Sequence, residues 1–290
     1  MMEWIFQGGG KVECGGYECF AVEMCDFLLD GGAMFGVVPK PLWEKRIPAD
    51  EKNRIPLKAR TLLLRGHGRN ILVDTGCGTK FSEKELAIYG ITATRSPDEA
   101  LSDYGLSTAE ITDVILTHLH FDHAGGSTFL KDGEAVPTFP NATYYTQKRQ
   151  LDWAKNPTMR DRASFFSDNW APMEKSGQLT VLDGNNLPLP HIELLFSDGH
   201  TFGQQLPLIK GETGGLLYCG DLIPTSAHIP VPWHMGYDNQ PLVIMAEKET
   251  TLKMAVEKNW TLYFEHDPTI AAVTLKEGRK GVEMDQVVAF

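Results

Sequence analysis

The chain has 290 residues, 42% hydrophobic, 22% charged and 10% aromatic. That balance describes a folded protein with a sizeable core and excludes a disordered, collagen-like or disulfide-stapled one. With 38 acids against 27 bases the formal charge is −11, and no Lys/Arg run is longer than two, so nucleic acid is not an expected partner.

The N-terminal Met1-Met2-Glu3-Trp4-Ile5-Phe6 lacks a basic flank and is too short for a signal peptide. No run approaches the roughly 20 apolar residues of a membrane span. Cys14, Cys19, Cys25, Cys77 and Cys219 are odd in number and without C-x-x-C spacing, as expected of free thiols in a reducing, cytoplasmic setting. Next comes Met34-Phe35-Gly36-Val37-Val38-Pro39, an apolar stretch flanked by Gly and Pro. It reads either as a strand against the core or as a wall over a binding site.

Residues 61–64 and 71–73 read as two strands around the turn Gly66-His67-Gly68, the second ending in Asp74-Thr75-Gly76. Ser107-Thr108-Ala109-Glu110 has capping-box spacing and predicts a short helix. The strand 114–117 then stops at His118, and Gly125-Gly126-Ser127 marks the turn into a further helix. A strand is expected over 142–146, a helix over 147–155, and a strand over 192–196 running out at Asp198-Gly199-His200. Residues 204–224 repeat the earlier hairpin: strands 206–209 and 216–218, ending in Gly220-Asp221. A last strand, 260–264, runs into Glu265-His266-Asp267. The repeated hairpin implies one α/β domain over 1–290 with two related halves, roughly 1–185 and 186–290, each a sheet covered by helices.

The chemistry concentrates in His118-Leu119-His120-Phe121-Asp122-His123. Four donors in six residues cannot all point one way from a strand or helix, so they need a tight loop that splays them onto two centres. Imidazole with carboxylate suits Zn²⁺, then Fe and Mn. Strand ends supply the remaining donors, His200, Asp221 and His266, the edge at which α/β sheets place ligands. With Asp221 bridging, His118, His120 and His200 hold one cation and Asp122, His123 and His266 the other. Asp74 is expected to support a ligand imidazole or the loop from behind. His67 and His191 are expected to face solvent.

The H-x-H-x-D-H cluster, Gly199-His200-Thr201 and Cys219-Gly220-Asp221 resemble the metallo-β-lactamase superfamily. The stretch from Leu29 to Trp43 with Gly31-Gly32-Ala33-Met34-Phe35-Gly36, and Asp221-Leu222-Ile223-Pro224-Thr225, is similar to its quorum-quenching lactonase branch. The resemblance implies a four-layer αββα sandwich and a dinuclear zinc centre (Mn²⁺, Fe²⁺ or Co²⁺ being alternatives) that opens N-acyl-homoserine lactones. A small-molecule lactone or ester is then the partner, with a homodimer open as the assembly. Met34, Phe35 and Phe202 would form the acyl wall, and Asp122 would orient the attacking water or relay its proton. Some relatives carry a tyrosine three residues after the bridging aspartate, where this chain has Pro224, and often a histidine where it has Gln204. His228 and Tyr237 are the candidates to replace that tyrosine at the substrate carbonyl. The competing expectations are an esterase, thioesterase or phosphotriesterase on the same centre, and a di-iron redox protein.

Overall fold

Strands buried on both faces read as unbroken apolar runs, and successive side chains along them serve opposite cores. The strand Arg54–Gly66 behaves in this way: Leu62 and Leu64 join one apolar cluster and Leu63 another. In Gly215–Tyr218, likewise, Leu216 and Tyr218 face one way and Leu217 the other. A computed structural model of the protein describes residues 10–91, 93–279 and 281–290, and the expectation for Met1 to Phe6 lies outside them.

Two sheets result. The first runs, in spatial order, Val12–Cys14, Tyr17–Asp30, Arg54–Gly66, Arg69–Val73, Asp113–Ile115, Thr143–Gln147 and Leu179–Leu182, with Ala93–Thr94 paired to Tyr17–Asp30. The second runs Ile192–Ser197, Gln204–Lys210, Gly215–Tyr218, Trp260–Tyr263, Ala272–Gly278 and Gly281–Val288. One core packs the first sheet on its helices through residues such as Leu63, Leu72, Leu101 and Leu151. Another, including Leu64, Ile71, Ile209 and Tyr263, lies between the sheets. A third joins the second sheet to the helix Pro241–Glu257 through Leu217, Leu262, Ile244 and Leu252. This is the expected αββα sandwich. Among the described residues no helix is long and apolar enough to cross a membrane.

The repeated hairpin is present in both sheets. Leu62 pairs antiparallel with Val73, and Leu208 with Leu217. In each case the second strand then pairs parallel with a crossover strand, Ile71 with Asp113 and Leu217 with Leu262. The two sheets are also tied by hydrogen bonds from Arg60. Arg60 N donates to Glu265 O at 3.1 Å, and the Arg60 guanidinium to the carbonyls of Phe264 and Asp267, both at 3.0 Å.

Three local expectations change. Of the Met34–Pro39 stretch, Met34 and Phe35 end a short helix, Gly31–Phe35, and the residues after them turn instead of forming a strand; Asp30 Oδ1 accepts from Ala33 N at 2.8 Å and caps the start of that helix. The 107–110 signal closes only a single 3₁₀ turn, Thr108–Glu110, since Ile111 is already extended toward the next strand. The glycines at 125 and 126 follow a helix, Phe121–Ala124, instead of opening one. Their role is close approach: a Cβ on Gly125 would lie 2.0 Å from Cys77 O, and one on Gly126 2.2 Å from Thr75 O.

Candidate metal centre

Four donors share one placement. His118 lies three residues beyond Ile115, His200 three beyond Ser197, Asp221 three beyond Tyr218 and His266 three beyond Tyr263, each counted from its strand's last residue. His120, Asp122 and His123 come from the turn that follows His118. His120 keeps an extended backbone (φ −67°, ψ 158°) as the cap of Phe121–Ala124, while Asp122 and His123 lie inside that helix. The change from extended to helical backbone directs adjacent donors onto two points. All seven are buried.

His118 Nε2 lies 3.0 Å from His120 Nδ1, and His200 Nε2 lies 3.1 Å from the same atom. His123 Nε2 and His266 Nε2 approach to 3.1 Å, with Asp122 oxygens 3.9 and 3.7 Å from them. Asp221 stands between the groups. Its Oδ2 is 3.0 Å from His200 Nε2, and its Oδ1 is 3.2 Å from His266 Nε2 and 3.6 Å from His123 Nε2.

The outer hydrogen bonds fix where the ring protons sit. His266 Nδ1 can only donate to Lys58 O, at 2.8 Å, and His200 Nδ1 donates to the Asp238 carboxylate at 2.9 Å. His123 Nδ1 faces Asp74 Oδ2 at 3.0 Å and Glu265 Oε2 at 2.8 Å. Thr117 Oγ1 gives its proton to Asp74 at 2.6 Å, so it accepts from His118 Nδ1 at 3.0 Å. In neutral rings these four protons therefore point outward and four Nε2 lone pairs point inward, two of them toward His120 Nδ1. Lone pairs at such spacing repel unless a cation lies among them. A tetrahedral ion with metal–nitrogen distances of about 2.0–2.1 Å keeps its nitrogens about 3.3 Å apart, close to the spacing present. Asp221 Oδ1, buried and without a hydrogen-bond partner, supplies the matching anionic donor. The residues present fit a divalent centre.

Electrostatics agree. Burial, reinforced by neighbouring imidazoles, holds His118 and His120 well below the usual histidine value. Burial acts the same way on His200 and His266, but Asp221, with Asp238 on the first and Glu265 on the second, raises each to about 9. At His123 burial is outweighed by Glu265, Asp221 and Asp122, which hold it well above the usual value. Burial raises Glu265 to about 8; His123 opposes this and Asp74 adds to it. Asp221, despite burial, is held well below the carboxylate range by His200, His123 and His266. The carboxylates thus demand positive charge at these points, which ring protons or cations can supply.

A cavity of about 70 Å³ opens onto the donors, lined among others by Met34, Leu57, Asp122, Arg160, Asp161 and Tyr237. Of the residues expected around a substrate, Met34 and Tyr237 reach it. Phe35 does not: it is stacked between Trp43 (5.2 Å) and His228 (4.5 Å) inside the core. His228 does not either, because Nε2 is spent on Met34 O at 2.8 Å and Nδ1 on Thr225 Oγ1 at 2.7 Å. Phe202 packs on Trp153 at 4.3 Å, away from the cavity. Pro224 turns the chain so that its carbonyl accepts from His266 N. His67 and His191 are exposed, as expected. Asp74 lies behind His123, where support was expected.

Sequence reasoning missed four contributors. Glu265 had a signal, an acid beside a strand-end histidine. Asp238, Arg160 and Asp161 had none, because they lie in irregular segments. Asp161 pins those segments together, accepting from Trp153 Nε1 at 2.7 Å, Thr158 N at 2.9 Å and Asn239 Nδ2 at 2.9 Å.

A family model for the metallo-beta-lactamase superfamily matches residues 55–266. An N-acyl homoserine lactonase of Bacillus cereus is 26% identical over 175 residues, 57% of this chain and 63% of that protein, so less than two thirds of that relative's length is matched. A probable metal-dependent hydrolase from Staphylococcus aureus, 30% identical, superposes with a TM-score of 0.87 over 96% of this chain and 98% of that one. A dizinc quorum-quenching lactonase in complex with a hexanoyl-homoserine product is 21% identical, with a TM-score of 0.80 over 97% and 98% of the two chains. This last likeness is one of fold.

Proposed function

The chain belongs to the metallo-beta-lactamase superfamily, and from that premise we propose that it is a metal-dependent hydrolase that opens the ring of N-acyl-homoserine lactones. His118, His120 and His200 would hold one divalent cation, Asp122, His123 and His266 a second, and Asp221 would be shared. Zinc suits this imidazole and carboxylate set best, and Mn²⁺, Fe²⁺ or Co²⁺ fits the same donors. The observation that carries the reading is the Asp221 carboxylate, with one oxygen turned to each histidine group and Oδ1 left without a hydrogen-bond partner. When bound, such cations lower the pKa of water to about 7 and polarise a carbonyl.

The chain's own groups do the rest. Asp122, on the cavity wall, would hold the proton of the attacking water. The Tyr237 phenol, on the cavity wall, would donate to the carbonyl oxygen as it gains charge. Asp238 and Lys58 O keep His200 and His266 in the tautomer that presents Nε2. Met34 and Leu57 exclude water from one side. The lactone reading draws on the Bacillus cereus relative and on the product-bound lactonase of the same fold.

Metal analysis and a panel of lactones, aryl esters and phosphotriesters on one preparation test this. Two metal equivalents and a lactone-led ranking by kcat/KM are expected, with His118→Ala and Asp221→Ala losing both metal and turnover. Turnover that survives in a metal-depleted variant, or a panel led by phosphotriesters, would overturn it.

A further inference from the structure

Tyr237 and Arg160 both line the cavity over the donors, and they come from two separate irregular stretches of chain. Outside helices and strands the backbone is fixed by individual hydrogen bonds. Around Tyr237 the N–H groups find backbone partners: Gly236 N donates to Ala33 O at 2.7 Å, Asp238 N to Met235 O at 3.3 Å and Asn239 N to His200 O at 3.1 Å. The carbonyls depend on one guanidinium nitrogen. Arg160 Nη2 carries two hydrogens, and it donates to Gly236 O at 2.5 Å and to Asp238 O at 2.8 Å. These are the carbonyl before Tyr237 and the carbonyl after it. Bonds from an ionised donor are about twice as strong as neutral ones.

Arg160 is itself aimed. It sits in a turn closed by Arg162 N on Thr158 O at 3.0 Å. The adjacent Asp161 carboxylate, buried, locks that turn by accepting from Thr158 N at 2.9 Å and Thr158 Oγ1 at 2.8 Å. It also reaches the helix Lys148–Lys155 through Trp153 Nε1 at 2.7 Å, and the Tyr237 loop through Asn239 Nδ2 at 2.9 Å. Two neighbours in one turn thus grip the loop on both sides of Tyr237. A tyrosine has only two side-chain torsions, so its hydroxyl follows the backbone that carries it. Misplacing a reacting group by about 1 Å can cost about 100-fold in rate.

We propose that Arg160 is a positioning residue for the hydrolytic reaction: by bracketing the peptide units on either side of Tyr237 it holds that hydroxyl over the metal donors. This rests on the metal-hydrolase reading and on the part Tyr237 plays in it.

Two measurements on the metal-loaded protein test it. The first is a double-mutant cycle of Arg160→Ala and Tyr237→Phe, read as kcat and KM on the best lactone of the panel, or on its leading ester or phosphotriester should no lactone be turned over. Arg160→Ala should lower kcat about tenfold or more with KM and metal content nearly unchanged, yet cost less than about twofold once Tyr237 is Phe. Arg162→Ala removes the same charge two residues away and should change neither. Arg160→Gln carries the same test should the alanine variant not fold. The second measurement is amide hydrogen exchange at Gly236, Asp238 and Asn239, which should quicken at least about tenfold in Arg160→Ala and stay unchanged in Arg162→Ala. Equal losses in both backgrounds would mean that Arg160 acts on substrate or fold directly, and lost metal that it acts through Asp238 and His200. Either result, or unaltered exchange, overturns the proposal and leaves the hydrolase reading standing. If nothing in the panel is turned over, the hydrolase reading fails by itself; quickened exchange then still supports the grip of Arg160 on the loop, and unaltered exchange overturns that too.

Discussion

His228 and Tyr237 both follow Asp221 closely in sequence, yet only one reaches the cavity. His228 is sealed between the Phe35 ring, Met34 O and Thr225 Oγ1, whereas Tyr237 is 40% exposed on the cavity wall. Tyr237→Phe should therefore lower kcat/KM by about 10–100-fold with metal content and thermal midpoint unchanged. His228→Ala should instead cost roughly 2–4 kcal/mol of stability in urea unfolding, through lost packing and stranded polar partners. Lys248 is a second buried group that sequence does not reveal. Its ammonium donates to the carbonyls of His228, Pro230 and Trp233, and burial, partly offset by Asp238, lowers it to about 7. Between about pH 7 and its usual 10.5 the unfolded chain keeps a proton that the folded chain has released. Stability should thus rise with pH through that window, by up to about 1.4 kcal/mol per unit. Urea unfolding at pH 7.5 and 9.5 checks this: the wild type should gain relative to Lys248→Met, and parallel behaviour would refute it. At this scale the candidate ligands were legible because few residue types hold cations. The pocket lining was not, because an aromatic ring serves a core or a cavity equally well.

The elements carrying the donors were mostly legible, since buried strands announce themselves as β-branched and apolar runs that stop at polar residues. Two local expectations fail. The Met34–Pro39 stretch is apolar and short, a pattern that does not separate helix from strand, and the deciding cap at Asp30 is a local hydrogen bond. The Gly125-Gly126 pair resembled a helix start, but it is there because the loop after Asp74 presses against it. Gly126→Ala would drive a methyl into Thr75 O, which should cost about 1–3 kcal/mol or more and shift the adjacent His123. A lower thermal midpoint together with reduced metal content should be seen. A variant that melts like wild type would show that the loops have slack.

Across the whole molecule, His118, His120, Asp122 and His123 come from loops of the first sheet and His200, Asp221 and His266 from loops of the second. A cation bound by both ties the halves together. At a free concentration about 1,000 times its dissociation constant it should add about 4 kcal/mol to stability. Thermal unfolding before and after chelation measures this, and an unchanged midpoint would mean that the donors do not clamp a metal in the folded state. The hairpin repeat made the two-sheet plan readable from sequence. The ties between the sheets through Arg60 were not, because they involve backbone carbonyls some 200 positions away.

Every donor strand runs toward the same rim, and the opposite rim carries none of the seven donors. There the turns at Gly15-Gly16, His67 and Glu212-Gly214 face one open groove; beside it Gly68 has open space around it, though its φ of +72° favours glycine. An affinity tag, a fluorophore or a surface tether carried on that rim would stand away from the donors, so immobilisation through it should leave the working end outward and turnover unchanged.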